Sequence, residues 1–143
     1  MEDLLKILDE EQGRIDVAKI SKKLGKTEEE VSKTLKELED NHIIAGYKTI
    51  VNWDKTDRDV VMALIDLKVT PQRGEGFDKV AARIYKYPQV RAVYLMSGAY
   101  DLSVMIEGTS MKEVALFVAQ KLAPMESVVS TATHFMLKKY KAE

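Results

Sequence analysis

At Val60 the spacing of apolar residues changes from the three-to-four-residue rhythm of helices to the alternation of strands, dividing the chain into a helical part and a strand-rich part. Before the switch, Leu4, Leu5, Ile7 and Leu8 form an apolar stripe on a helix over residues 3–11, which Gly13 ends. Asp16 N-caps a second helix with Val17, Ile20 and Leu24 on one face, and Gly25 closes it. Thr27 opens a third helix, with Glu30 at capping-box spacing and Val31, Leu35 and Leu38 on its buried side. A tight turn at Leu24-Gly25-Lys26-Thr27 makes this a helix-turn-helix pattern. Ile43-Ile44 and Tyr47 to Trp53 read as short β segments, suited to a wing or a linker strand. The polar run from 52 to 59 is the expected boundary, with Trp53 pinning it against one domain. The organisation is therefore 1–51, a linker at 52–59, and 60–143.

After the switch, Val61, Ala63, Ile65, Leu67 and Val69 give one apolar strand face. The other face is apolar at Val60, Met62 and Leu64 and charged at Asp66 and Lys68. Pro71 to Gly76 is a loop. Phe77, Val80, Ala81 and Ile84 line a helix that ends at Tyr87-Pro88. Val93–Met96 and Leu102–Ile106 are two strands joined by a short connection containing Gly98, a residue free to take positive φ. Ser110 caps a further helix, with Glu113 three residues on and Met111, Val114, Ala115, Val118 and Leu122 as its buried face, before Ala123-Pro124 stops it. Val128 to Leu137 is the last strand, and Lys138 to Lys141 a solvated basic end. The order β-α-β-β-α-β is ferredoxin-like, so the fold class is α+β. Both helices then cover one face of a four-stranded antiparallel sheet. The uncovered face stays apolar, which predicts sheet-to-sheet dimerisation.

Composition removes several function classes. The chain has no cysteine, so disulfide scaffolds, thiolate zinc sites and cysteine nucleophiles are excluded. Its two histidines, His42 and His134, lack metal-ligand spacing and receive no chemical role, and no metal or cofactor is expected. No apolar run approaches the ~20 residues of a membrane span. The acidic, amphipathic start resembles neither a secretory nor a transit signal, so the expected location is the cytoplasm, away from membranes. No nucleophile–base pair, phosphate-cradling loop or spaced carboxylate pair supports an enzyme. Met62, Met96, Met105 and Met136 suit packing between sheets.

The arrangement resembles the leucine-responsive regulatory protein (Lrp)/AsnC family of transcription regulators. The likeness rests on Gly25-x-Thr27-x-x-x-Val31-x-x-x-Leu35-x-x-Leu38-Glu39, on Ile43-Ile44-x-Gly46-Tyr47, and on Ser97-Gly98-x-Tyr100-Asp101-Leu102, similar to the family's T-G-x-x-D-L signature. It covers essentially the whole chain. It implies a DNA-binding head and a tail that dimerises through its sheet, assembles to an octamer and binds an amino-acid effector between dimers. On that basis Ser97, Gly98, Ala99, Tyr100 and Asp101 belong to the effector site. The last strand brings Thr131 and Thr133 close to it. Asp101 would meet an α-ammonium group and the hairpin N–H groups an α-carboxylate. Read without the family, Asp101 is equally a turn residue bonding its own backbone, and the threonines ordinary strand residues.

The third helix departs from the family pattern. The family commonly has Ser or Arg where Glu28 and Glu29 stand, and basic residues in place of Thr34 and Glu37. From Thr27 to His42 six acids face two bases, a formal −4. Carboxylates at a helix N-terminus favour its dipole, but DNA affinity comes mostly from neutralised phosphates. Lys22, Lys23, Lys26, Lys33 and Lys36 supply phosphate contacts beside the capping Thr27, and Ser32, Lys33 and Lys36 reach the groove. Binding to double-stranded DNA is then weak and dependent on linked heads, whose avidity adds ~10²–10⁴. Three other readings stand beside it. They are a three-helix packing unit, a ligand-sensing or assembly module with weak or lost DNA binding, and a catalytic dimeric α/β barrel with a polar pocket inside each dimer.

Overall fold

The computed structural model describes residues 1–11, 13–71, 73–74 and 76–142. The chain forms two compact units, Met1–Thr49 and Ile50–Glu143. Among the described residues no helix is long and apolar enough to cross a membrane.

The first unit holds α1 (Glu2–Glu10), α2 (Val17–Leu24) and α3 (Glu28–Asp40). Local chemistry sets the boundaries of the latter two. The Asp16 side chain accepts from Lys19 N, Gly25 closes α2 at φ 65, and Thr27 Oγ1 accepts from Glu30 N at 3.1 Å. Helix α1 stops earlier than expected, with Glu11 already extended. Leu4, Ile20, Val31, Leu35 and Leu38 are buried together, with Val17, Leu24 and Ile44 packed around them. Full burial of each such side chain contributes about 1.5–3 kcal/mol.

Beyond α3 the expected β segments do not form. Helix α3 instead ends with His42 N bonded to Glu39 O and Ile43 N to Leu38 O, and His42 takes the left-handed position at φ 57. Among the described residues none from 41 to 60 is in a strand, so the expected wing is absent; residues 53–55 form a single 3-10 turn. The cause is a missing partner: a strand's N–H and C=O groups need a neighbouring strand, and β-favouring side chains express that preference on a half-buried pleat. Ile43, Tyr47 and Ile50 are exposed instead.

The second unit runs β1 (Val61–Val69), α4 (Gly76–Tyr85), β2 (Val90–Leu95), β3 (Leu102–Gly108), α5 (Met111–Phe117) and β4 (Val128–Phe135). Of the loop expected over 71–76, positions 72 and 75 lie outside the described residues, and Gly76 already belongs to α4. All pairings are antiparallel and the sheet order is β2-β3-β1-β4. Ala63, Ile65, Leu67, Val104 and Ile106 meet Val80 and Ile84 of α4, and Val114 and Phe117 of α5, in one core.

The buried face of α5 is rotated from the expected one. Val114, Phe117, Val118 and Leu122 are buried, whereas Met111 and Ala115 are exposed. Position 117 brings the largest apolar side chain, and its ring meets Tyr87 edge-on at 5.3 Å, which selects this face. The helix then opens into a π turn over Val118–Leu122, closed by Ala123 N to Val118 O. Where β3 passes under α5 the backbone approaches closely. A Cβ on Gly108 would lie 2.9 Å from Val114 Cγ2.

By register and alternation the opposite sheet face carries Met62 and Leu64, Met105, Ala92 and Tyr94, and Ala132. Asp66 and His134 pair across β1 and β4 at 3.1 Å. Among the described residues no helix of this unit lies on that face, since α4 and α5 pack on the other.

Candidate functional site

The connection between β2 and β3 is built around Asp101. Met96 N donates to Asp101 O at 2.8 Å and closes the hairpin. Asp101 N donates to Leu67 O at 2.9 Å, which extends the β1–β3 ladder one step past the Leu67–Leu102 pair. The Asp101 carboxylate then takes the next donor on β1, Val69 N, at 2.8 Å. The Asp101 main chain thus closes its own turn, while its side chain bonds a neighbouring strand and not the turn backbone. Lys68 Nζ stands 3.7 Å from the same Oδ2.

Above this staple the loop presents donors. The N–H groups of Ser97, Gly98, Ala99 and Tyr100 have no hydrogen-bond partner among the described residues. Gly98 sits at φ 115, where a side chain would strain the backbone although the space beside it is open. Successive unpaired amides beside a cation and a carboxylate can receive one anionic and one cationic group together.

The threonines expected beside the hairpin are elsewhere within this chain. Strand β4 pairs with β1, so β1 lies between Thr131 and the hairpin. Thr131 is level with Leu67 but two strand spacings from Leu102, about 9–10 Å. Thr133 is level with Ile65, two residues further along. The two do share one face of β4. A groove of about 410 Å³ between the 50–54 segment and Met136–Ala142 is away from the hairpin. Its charged lining is mainly the lysines of the basic end. We place the candidate site at the hairpin because the β2–β3 connection holds both the amides of 97–100 and Asp101, whose carboxylate lies 3.7 Å from Lys68 Nζ.

In the first unit Lys22, Lys23, Lys26, Lys33 and Lys36 are all exposed, as is Ser32, on the side of α3 away from Val31, Leu35 and Leu38. Lys23 is bonded to Glu11, and Lys19 lies 3.8 Å from the same oxygen. That hydrogen bond from Lys23 holds the Glu11 carboxyl below its ordinary value of 4.5. Thr27 spends its hydroxyl on the helix cap. Tyr47 donates to Glu39 Oε1 at 2.8 Å; loss of water around the phenol, and then this bond, raise its pKa. Two features were missed by sequence reasoning: the Lys68 contact with Asp101 and the Glu11–Lys23 pair. Each joins elements distant in sequence, so only strand register and helix packing reveal them.

The profile of the Lrp/AsnC ligand binding domain matches residues 62–143. The uncharacterized HTH-type transcriptional regulator YugG of Bacillus subtilis is 51% identical over 140 residues, covering 97% of this chain and 84% of that protein. The structure of Escherichia coli AsnC is similar with a TM-score of 0.71 at 18% identity, covering 98% of this chain and 91% of that one. The regulator NMB0573 of Neisseria meningitidis, solved as a complex with L-Met, gives 0.74 at 23% identity, with 97% and 88% covered.

Proposed function

This chain belongs to the Lrp/AsnC family of transcription regulators, and we propose that it binds double-stranded DNA through its first unit and senses an amino acid through its second. Its relatives are regulators, not enzymes. In this reading residues 1–51 are the helix-turn-helix head, 52–59 the linker and 60–143 a ferredoxin-like effector and oligomerisation domain, at work in the cytoplasm. The observation that carries the DNA reading is the α2–turn–α3 pair. Lys22, Lys26, Lys33 and Lys36 lie exposed around the turn and along α3, while Val31, Leu35 and Leu38 are buried behind them. Those lysines contact phosphates, and Ser32, Lys33 and Lys36 reach the groove.

The open sheet face meets its counterpart in a second copy, and dimers join further, towards an octamer. Asp101 receives the ammonium group of the effector, and the amides of Ser97, Gly98, Ala99 and Tyr100 its carboxylate. Thr131 and Thr133, two strands away in the same chain, reach the effector hairpin of another copy.

One observation favours a second reading, a sensing or assembly module with weak DNA binding. The third helix carries a formal −4, and Lys23 is already held by Glu11. A mobility-shift assay on the chain's own upstream region, with and without amino acids, separates the two. Retardation that an amino acid changes supports the regulator; no retardation at low salt supports the module.

A further inference from the structure

We propose that Lys68 is a specificity residue that reads the carboxylate of a ligand at the hairpin site, so that a ligand with a free carboxylate is preferred to its neutral amide. The inference rests on the effector reading above and adds to it a residue on β1. Lys68 is on the open sheet face, immediately before the register shift at Lys68/Val69, and its side chain is about half exposed, 48%. Its ammonium is 3.7 Å from Asp101 Oδ2, within attraction but beyond a hydrogen bond. That oxygen takes its hydrogen bond from Val69 N instead. Exposed pairs of this kind are weak, so Lys68 is held loosely at the position a ligand ammonium would claim.

A ligand ammonium on Asp101 releases Lys68, whose flexible four-carbon stem lets Nζ turn to a carboxylate beside it. An amine alone would sit next to a displaced Lys68 and be repelled. A carboxylic acid alone would meet Lys68 and the amides but face Asp101 with its negative charge. A molecule carrying both charges satisfies the site without leaving a like-charge contact.

The test uses the full-length chain. Each of the twenty L-amino acids is screened by thermal shift, and for the one with the largest shift the Kd of the acid and of its α-amide is measured by calorimetry. Wild type is expected to prefer the acid by about tenfold or more, because the amide offers no charge to Lys68. Lys68→Met should lose that preference while keeping the wild-type melting temperature, and Lys68→Arg should restore it. An unchanged acid-over-amide preference in Lys68→Met overturns the role of Lys68 and leaves the effector reading standing. If wild type binds none of the twenty, the effector reading falls and this inference with it.

Discussion

The Asp101 carboxylate accepts the Val69 N–H at 2.8 Å, so a residue of the β2–β3 connection fastens that hairpin to β1. The side chain proposed to contact the effector is thus also a structural staple. Replacing Asp101 by Ala removes a hydrogen bond to a charged acceptor and leaves Val69 N unpaired, at a cost of about 1.5–3 kcal/mol. Asn keeps an acceptor oxygen and should cost less. Urea unfolding of both variants measures this. An Ala variant as stable as wild type would show that the staple contributes nothing.

Leu64 stands on the open sheet face between Met105 and His134. If this face is the dimer interface, Leu64→Asp places a charge where apolar surface must be buried. Light scattering should then show a monomer with an unchanged circular dichroism spectrum. A dimer of wild-type strength would move the interface elsewhere.

Gly108 has no room for a side chain, since a Cβ would lie 2.9 Å from Val114 Cγ2. Gly108→Ala is expected to destabilise by about 1–3 kcal/mol through overpacking. Adding Val114→Ala removes the clashing methyl and should recover part of that loss. Additive costs in the double variant would rule out the clash.

Thr109 donates both its hydroxyl and its N–H to Glu113, which lowers the Glu113 pKa below 4.5. A depressed carboxyl contributes stability that is present above its unfolded value and lost as pH falls through its folded one. The contribution should therefore disappear below about pH 4.5. Glu113→Gln should flatten that acid limb, as melting temperature against pH will reveal; an identical limb in both proteins would exclude Glu113 as its source.

How much of this was legible in the sequence depends on the range of the interaction. Asp16, Gly25, Thr27 and Ser110 act within one helical turn, and each caps where its residue type places it. The alternation from Val61 to Val69 was readable because one face is fully covered. The segment from Tyr47 to Trp53 was misread because strand formation needs a partner that local pattern does not supply. The face of α5 was misjudged because it was drawn through Met111 and Ala115 and left out Phe117, the larger apolar side chain. At the candidate site the hairpin itself was visible, but Val69 and Lys68 were not. Their link to Asp101 follows from β1 being the neighbour of β3, a consequence of the strand order β2-β3-β1-β4. The same order separates Thr131 from the hairpin.

Salt dependence measures the DNA reading most directly. Lys22, Lys26, Lys33 and Lys36 have no acidic partner among the described residues, so each head can neutralise about four phosphates. The affinity for a duplex from the chain's own upstream region, followed by fluorescence anisotropy, should fall with a log–log slope of about −3 to −4 per head. Lys33→Gln with Lys36→Gln should reduce that slope by about 2. No binding at low salt, or a slope untouched by the double substitution, would contradict a DNA-binding role for this head.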